Sequence, residues 1–246
     1  MTVDKTGNGR IDHQVEIGRT VRRPFPLFVD RKDAGQTLAE LVHAGADPDA
    51  RVLAIPRGGV PVAAPLARAL HTPLDVVVVR KLPIPSSPEA GFGAVALDGS
   101  TVLNDELVTD LGLTAPAIDA IKEDVLAEVR RRARQYRGDD RPPDVDGRHV
   151  YLVDDGLASG YTMLAAVRSA RRAGAGPVTL CVPVSPIGSL GLVGPHVDQV
   201  FCFVAQERPP FAVASFYRDF SDLTDDNVRR LLTGAPAAND GDPPGA

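Results

Sequence analysis

Residues Val150 to Met163 read Val-Tyr-Leu-Val-Asp-Asp-Gly-Leu-Ala-Ser-Gly-Tyr-Thr-Met, and this stretch decides how the rest of the chain is read. Four consecutive apolar residues, Val150 to Val153, predict a buried strand. Two carboxylates, Asp154 and Asp155, stand where that strand ends. Small residues follow from Gly156 to Tyr161. From Thr162 the apolar spacing is helical until Gly174 and Gly176 stop it. A tight loop feeding a helix aims backbone N–H groups and the positive end of the helix dipole at one point, which suits a phosphate. Ser159 and Thr162 add hydroxyls, and Gly160 lets the backbone come close to the anion. The adjacent acids suit the hydroxyls of a sugar or a divalent metal. A ligand with a monoester phosphate beside a diol is a ribose 5-phosphate.

The pattern Val153-Asp154-Asp155-x-x-Ala158-Ser159-Gly160-x-Thr162-Met163 resembles the 5-phosphoribosyl diphosphate (PRPP) signature of type I phosphoribosyltransferases. The adenine-type version also has Ala at the place of Ala158. Hypoxanthine-type relatives carry an Asp there that can serve as a base, and this chain lacks it. The resemblance covers about Val52 to Phe220. It implies an α/β fold, a mostly parallel twisted sheet flanked by helices, with a small hood and a flexible lid loop. It also implies that Ala158, Ser159, Gly160, Tyr161 and Thr162 hold the 5′-phosphate. Asp154 and Asp155 would organise the ribose hydroxyls and a Mg²⁺ ion held largely by PRPP oxygens and water. A chance strand–turn–helix with an acidic pair would share the pattern without the chemistry.

A second strand–loop–helix lies upstream: Val52 to Ile55, then Pro56-Arg57-Gly58-Gly59-Val60-Pro61, then a helix over Val62 to Leu70. The resemblance makes this the pyrophosphate loop, with a non-proline cis peptide near Arg57-Gly58. Arg57 would bring charge, and Gly58 and Gly59 close backbone approach. An ordinary glycine turn would fit the same residues. The strand Asp75 to Val79 ends in Arg80 and Lys81, two cations that suit the leaving pyrophosphate; a solvated strand end is the alternative. Leu82 to Gly93, with Pro83, Pro85 and Pro88, predicts a mobile loop, and the resemblance makes it a lid that excludes water. Glu89 within it would contact the acceptor or take a proton, unless it is a surface carboxylate. A hairpin with an Asp-Gly-Ser turn is expected over Ala94 to Leu103.

The remaining segments frame this core. Residues 1–24 are expected as a flexible extension, or a peripheral strand around Gln14 to Ile17. Asp30 caps a helix that runs to Ala44 and stops at Gly45. Helices are predicted over Asn104 to Leu111 and Thr114 to Tyr136. The arginines Arg130, Arg131, Arg132, Arg134 and Arg137 near the end of the second read as a solvated face. Strands follow at Val178 to Val184 and Gln199 to Val204, separated by a Gly/Ser/Pro-rich excursion, and a final helix spans Leu223 to Leu232. One phosphoribosyltransferase domain over residues 25–233 is expected, its hood drawn from about 185–197 and 205–233 plus the N-terminal part. Residues 234–246 read as a disordered tail.

Composition narrows the function. The 246 residues are 43% hydrophobic, enough for one sizeable domain, and the formal net charge of −5 argues against a general nucleic-acid partner. No apolar run suits a membrane span and no signal-peptide core is evident, so a cytoplasmic protein without a membrane partner is expected. Cys181 and Cys202 sit in apolar runs and read as core residues. Aromatics concentrate in Gln206 to Phe220. By weak resemblance to hypoxanthine-type relatives, Phe211 would stack on the acceptor, Val213 would offer backbone groups and Asp219 would be the nearby acid; Phe216 and Phe220 read as hood packing.

The expected reaction is transfer of a 5-phosphoribosyl group from PRPP to a purine-like nucleobase or another small nucleophile. Asp154, Asp155, Lys81 and Glu89 form the catalytic set, and Arg57, Gly58, Gly59, Arg80 and Lys81 the pyrophosphate set. A PRPP-sensing regulator without turnover, and a phosphate-binding α/β protein of other chemistry, stay open. Relatives are often dimers, which leaves room for a homodimer.

Overall fold

Parallel strands that are apolar along their whole length need cover on both faces, and helices supply it here. The computed structural model describes residues 2–3, 9–10, 15–42, 47–85 and 87–234. The strands are β1 (Thr2–Val3), β2 (Gly9–Arg10), β3 (Val15–Val21), β4 (Arg51–Ala54), β5 (Leu74–Val76), β6 (Val79–Ile84), β7 (Ser87–Ala96), β8 (Thr101–Leu103), β9 (Val150–Val153), β10 (Val178–Pro186) and β11 (Gln199–Gln206). The helices are α1 (Arg31–Val42), α2 (Gly59–Ala69), α3 (Asp105–Asp110), α4 (Ala115–Arg137), α5 (Tyr161–Arg172), α6 (Ile187–Val193) and α7 (Asp225–Thr233).

The main sheet has the order β1-β2-β3-β11-β10-β9-β4-β5. Its six strands from β3 to β5 are parallel, and β1 and β2 add an antiparallel edge. All four residues of β9 are buried, and the strand lies between β10 and β4. The period-two alternation of strands then divides the core. Val150 and Leu152 pack on the α5 side with Met163 and Leu180, while Tyr151 and Val153 pack on the α2 side with Leu66 and Cys181. Cys181 and Cys202 are free, buried core residues, as expected. No helix of the described residues is long and apolar enough to cross a membrane.

Two expectations are corrected here. Of the two readings of the N-terminal residues the strand holds over Val15–Val21 and the flexible extension does not: β3 pairs in parallel with β11, inside the sheet and not at its edge, and buries Val15 and Ile17. The alternation Val15-x-Ile17 is short, and Gly18 weakens it to the eye. Yet Gly18 leaves room that a side chain would not, since a β carbon there would lie 2.8 Å from the Phe203 carbonyl. Gln14 falls outside the described residues. The second correction concerns the lid. Strand β5 ends at Val76, and Arg80 and Lys81 lie inside β6 of a separate antiparallel sheet, β6-β7-β8. The stretch Leu82 to Gly93 is therefore a hairpin and not an irregular loop; Ser86 alone lies outside the description. Leu82, Ile84 and Phe92 are buried against α3 and α4, which holds the hairpin in place, and register shifts on either side of Pro83 accommodate that proline.

Helix α1 begins as predicted, with the Asp30 carboxylate accepting the Asp33 N–H at 2.8 Å; the stop at Gly45 is outside the described residues. The excursion after β10 carries the short helix α6. Residues 205–233 form a 3-10 turn at Val213–Phe216 and then α7, which Gly234 closes in a left-handed conformation; residues 235–246 are outside the description. The segment 27–29 pairs with 216–219, tying the entry of α1 to the chain just after the 3-10 turn.

Helices α1 and α2 cross at Gly35, where a β carbon would lie 2.3 Å from the Val62 carbonyl. Gly35→Ala is expected to lower stability by about 2–3 kcal/mol, read from urea unfolding midpoints. An unchanged midpoint would contradict this packing.

Candidate active site

The loop after β9 is built from both sides. The Leu157 N–H donates to the Val184 carbonyl at 2.9 Å, and the Ser189 hydroxyl donates to the Ala158 carbonyl. Gly160 has φ +90°, a conformation that favours glycine, and a β carbon there would meet Val193 at 3.1 Å. The chain therefore turns sharply into α5, whose first-turn amides have no acceptor within the helix. Ala158 and Ser159 are exposed, and Tyr161 and Thr162 are half-buried.

The upstream loop lies directly against this one. The Ile55 N–H donates to the Val153 carbonyl at 2.9 Å. A β carbon on Gly58 would fall 2.0 Å from Asp155 Oδ2, and one on Gly59 would fall 2.6 Å from the Val153 carbonyl and 3.3 Å from Asp154 Oδ1. The cis peptide is Pro56–Arg57, one bond earlier than expected. Helix α2 starts at Gly59, three residues before the expected Val62. Two loops read separately from sequence thus share one acid pair.

The acid pair is held tightly. Asp154 Oδ1 accepts the Asp155 N–H at 2.8 Å. Asp155 Oδ2 accepts Arg31 Nε at 2.8 Å, and its carbonyl accepts the Tyr217 hydroxyl at 2.6 Å. Arg31 lies 3.7 Å above the Phe220 ring and donates to the Ser221 carbonyl at 2.9 Å. Both carboxylates keep some solvent access, yet both are pushed up in pKa. Burial is the main cause for each. The Asp155 charge adds to it for Asp154, and the Arg31 hydrogen bond opposes it for Asp155. The pair therefore resists carrying two charges unless a cation arrives.

The other predicted residues are brought together only in part. Arg57 Nη1 stands 3.9 Å from Asp225 Oδ1, and Arg80 Nη1 stands 3.9 Å from Glu128 Oε1. Lys81 points from the opposite face of β6 and donates to the Glu89 backbone carbonyl; the Glu89 side chain is exposed. Val213 touches the acid loop, since a β carbon on Gly156 would meet Val213 Cγ1 at 2.6 Å. Phe211 packs on Phe216, with ring centroids 5.6 Å apart. The Asp219 carboxylate accepts the Ser221 N–H at 2.9 Å, which holds its pKa below the usual range. Sequence reasoning missed Arg31 and Tyr217 as partners of Asp155. It read Phe220 as hood packing; Phe220 does pack on Tyr217 at 5.1 Å, but it also carries Arg31.

Among the described residues, no group of three or more His, Cys, Asp or Glu could hold a metal ion. Two aspartates supply oxygen donors only, a set that fits Mg²⁺ kept mostly by water and substrate oxygens. A groove of about 510 Å³ lined by Arg68, His71 and Leu231 lies at the far end of α2, away from the strand ends that carry the site.

A parallel sheet with an acid pair and two glycine turns at its carboxyl edge, one turn opening a helix, defines a doubly covered α/β protein with its candidate site at the strand ends. The chain belongs to the phosphoribosyl transferase family, whose domain matches residues 31–208. It is 44% identical over 210 residues to a Mycobacterium tuberculosis protein provisionally named phosphoribosyl transferase, Rv0571c in strain H37Rv and MT0597 in strain CDC 1551. That similarity covers 85% of this chain and 47% of the relative, so the chain spans about half the length of the curated relatives it matches. The crystal structure of TT1426 from Thermus thermophilus is 33% identical, with a TM-score of 0.69, over 85% of this chain and 100% of that one.

Proposed function

We propose that the protein transfers a 5-phosphoribosyl group from PRPP to a small nucleophile, a purine-like nucleobase being the first class to test, with release of pyrophosphate. The single observation that carries this reading is the contact of Gly58 with Asp155. It sets the two glycine loops on either side of one acid pair, which supports reading one as a diphosphate loop and the other as a phosphate loop for an activated ribose 5-phosphate.

In this reading the amides of residues 158–162 and the Thr162 hydroxyl grip the 5′-phosphate. Asp154 and Asp155 take the ribose hydroxyls, with Arg31 and Tyr217 fixing Asp155. Breaking the bond at C1 leaves positive charge on the ring and negative charge on the leaving group. The acid pair favours the first, and Arg57 and Arg80 favour the second. A bound Mg²⁺ would screen the diphosphate charge, held at Asp154 and Asp155 through water. The loop offers no base at Ala158, so the proton leaves from the acceptor itself or passes to Glu89 on the β6–β7 hairpin. Phe211 and Val213 border the acceptor side. Asp219, committed to its turn, is a weaker candidate there.

The test is mass-detected pyrophosphate formation from PRPP and Mg²⁺ with a panel of acceptors, alongside thermal shift. PRPP at 100 times its Kd should add about 2.7 kcal/mol of stability. Binding without turnover on any acceptor would favour the sensor, and absence of PRPP binding would remove both readings. Thr162→Val should weaken PRPP about ten-fold, the loss of one hydrogen bond to a charged group, and leave free pyrophosphate unchanged. Equal loss for both ligands would argue against the phosphate placement.

A further inference from the structure

Helix α4 carries Glu128, Arg132 and Tyr136 at four-residue spacing, so the three share one stripe. That stripe, with Asp225 beside it, meets two of the three cations read above as pyrophosphate ligands, Arg57 and Arg80. Arg80 Nη1 lies 3.9 Å from Glu128 Oε1, and the same oxygen accepts Arg132 Nε at 2.7 Å. Arg57 Nη1 lies 3.9 Å from Asp225 Oδ1, and the same oxygen accepts the Tyr136 hydroxyl at 2.5 Å. Pairs at 3.9 Å are too long for hydrogen bonds. Arg57 and Arg80 are thus steered by their counter-ions but not bound by them. Burial, then Arg132, pulls the Arg80 pKa down, with Arg57 adding a smaller push in the same direction against the pull of Glu128. Three cations therefore crowd one place and repel one another. Glu128 is held at a pKa of about 2 by hydrogen bonds from Arg131 and Arg132, so it stays anionic at any working pH.

We propose that Arg132 is a third cation of the diphosphate subsite, and that Glu128 and Asp225 are positioning residues that compete with the diphosphate for Arg80 and Arg57. This deepens the transferase reading and rests on it. An incoming diphosphate has two loose ion pairs to displace, at Arg57 and Arg80, and shares Arg132 with Glu128; after transfer the same carboxylates draw the arginines back and help pyrophosphate leave.

The test is calorimetric titration of inorganic pyrophosphate into the wild-type protein and its variants, each checked for an unchanged melting profile. Glu128→Gln should bind pyrophosphate about five-fold more tightly, the effect of removing one nearby negative charge at partly exposed dielectric. Arg132→Gln should bind about five-fold more weakly by the same argument. A purely structural role for Glu128 would weaken binding on substitution, so unchanged or weaker binding in Glu128→Gln overturns the proposal. Unchanged binding in Arg132→Gln also overturns it. If Glu128→Gln fails to fold, Asp225→Asn gives the same reading for Arg57, because Thr224 still caps α7. Wild-type protein that binds no pyrophosphate removes the transferase reading itself, and this inference with it.

Discussion

Asp154→Asn should cut turnover by about 100- to 1,000-fold while leaving the melting temperature at or above that of the wild type. The two effects come from one cause. Asp154 is buried beside a second carboxylate, so its pKa is raised, and holding its charge opposes folding at neutral pH. The sign follows from linkage. A carboxyl with a raised folded pKa keeps its proton longer in the folded state, so the wild type gains stability as pH falls through that raised value. The advantage of Asn should therefore be largest near neutrality and close as pH approaches the ordinary value of 3.8. Asn keeps an oxygen for the Asp155 N–H, so the local backbone bond survives. The neighbouring Asp155→Asn is a poorer probe, because it takes the charge partner from Arg31, whose side chain is only 12% exposed. Thermal melts across pH, paired with pyrophosphate release, check the prediction. A less stable variant with wild-type turnover would contradict both halves.

Gly58→Ala should cost about 100-fold in turnover. Its β carbon would sit 2.0 Å from Asp155 Oδ2, so either the loop or the carboxylate must shift. Arg31 and Tyr217 pin Asp155, which leaves the displacement to the loop and its Arg57. Controls lie nearby: a β carbon on Gly188 or Gly191 of α6 meets nothing within 4 Å. Alanine at either should preserve turnover and, by stiffening a helix, add about 0.5–1 kcal/mol. Steady-state kinetics on the three variants make the comparison, and equal rates in all three would show that the two loops do not depend on each other.

Both loops were legible in the sequence because each signal is contiguous. Strand, acids, small residues and helix start fall within Val150–Met163, and Val52–Pro61 repeats the scheme. What the sequence hid is non-local. Arg31 is 124 residues from Asp155, and only the pairing of residues 27–29 with 216–219 brings it over Phe220. Nothing beside Arg31 marks it, and it reads as an ordinary first helical residue. Arg132 was hidden by company. Among the arginines at the end of α4 it is the one whose stripe turns toward Arg80, and a helix terminus rich in cations already has a sufficient explanation in the dipole. The β6–β7 hairpin was obscured by its prolines, although Leu82, Ile84 and Phe92 carried the alternation that its packing uses.

The most direct measurement is a crystal structure with PRPP and Mg²⁺ bound. The account predicts the 5′-phosphate on the amides of residues 158–162, the ribose hydroxyls on Asp154 and Asp155, and the diphosphate against Gly58, Arg57 and Arg80. A 5′-phosphate seated elsewhere, with the turn before α5 empty, would contradict it.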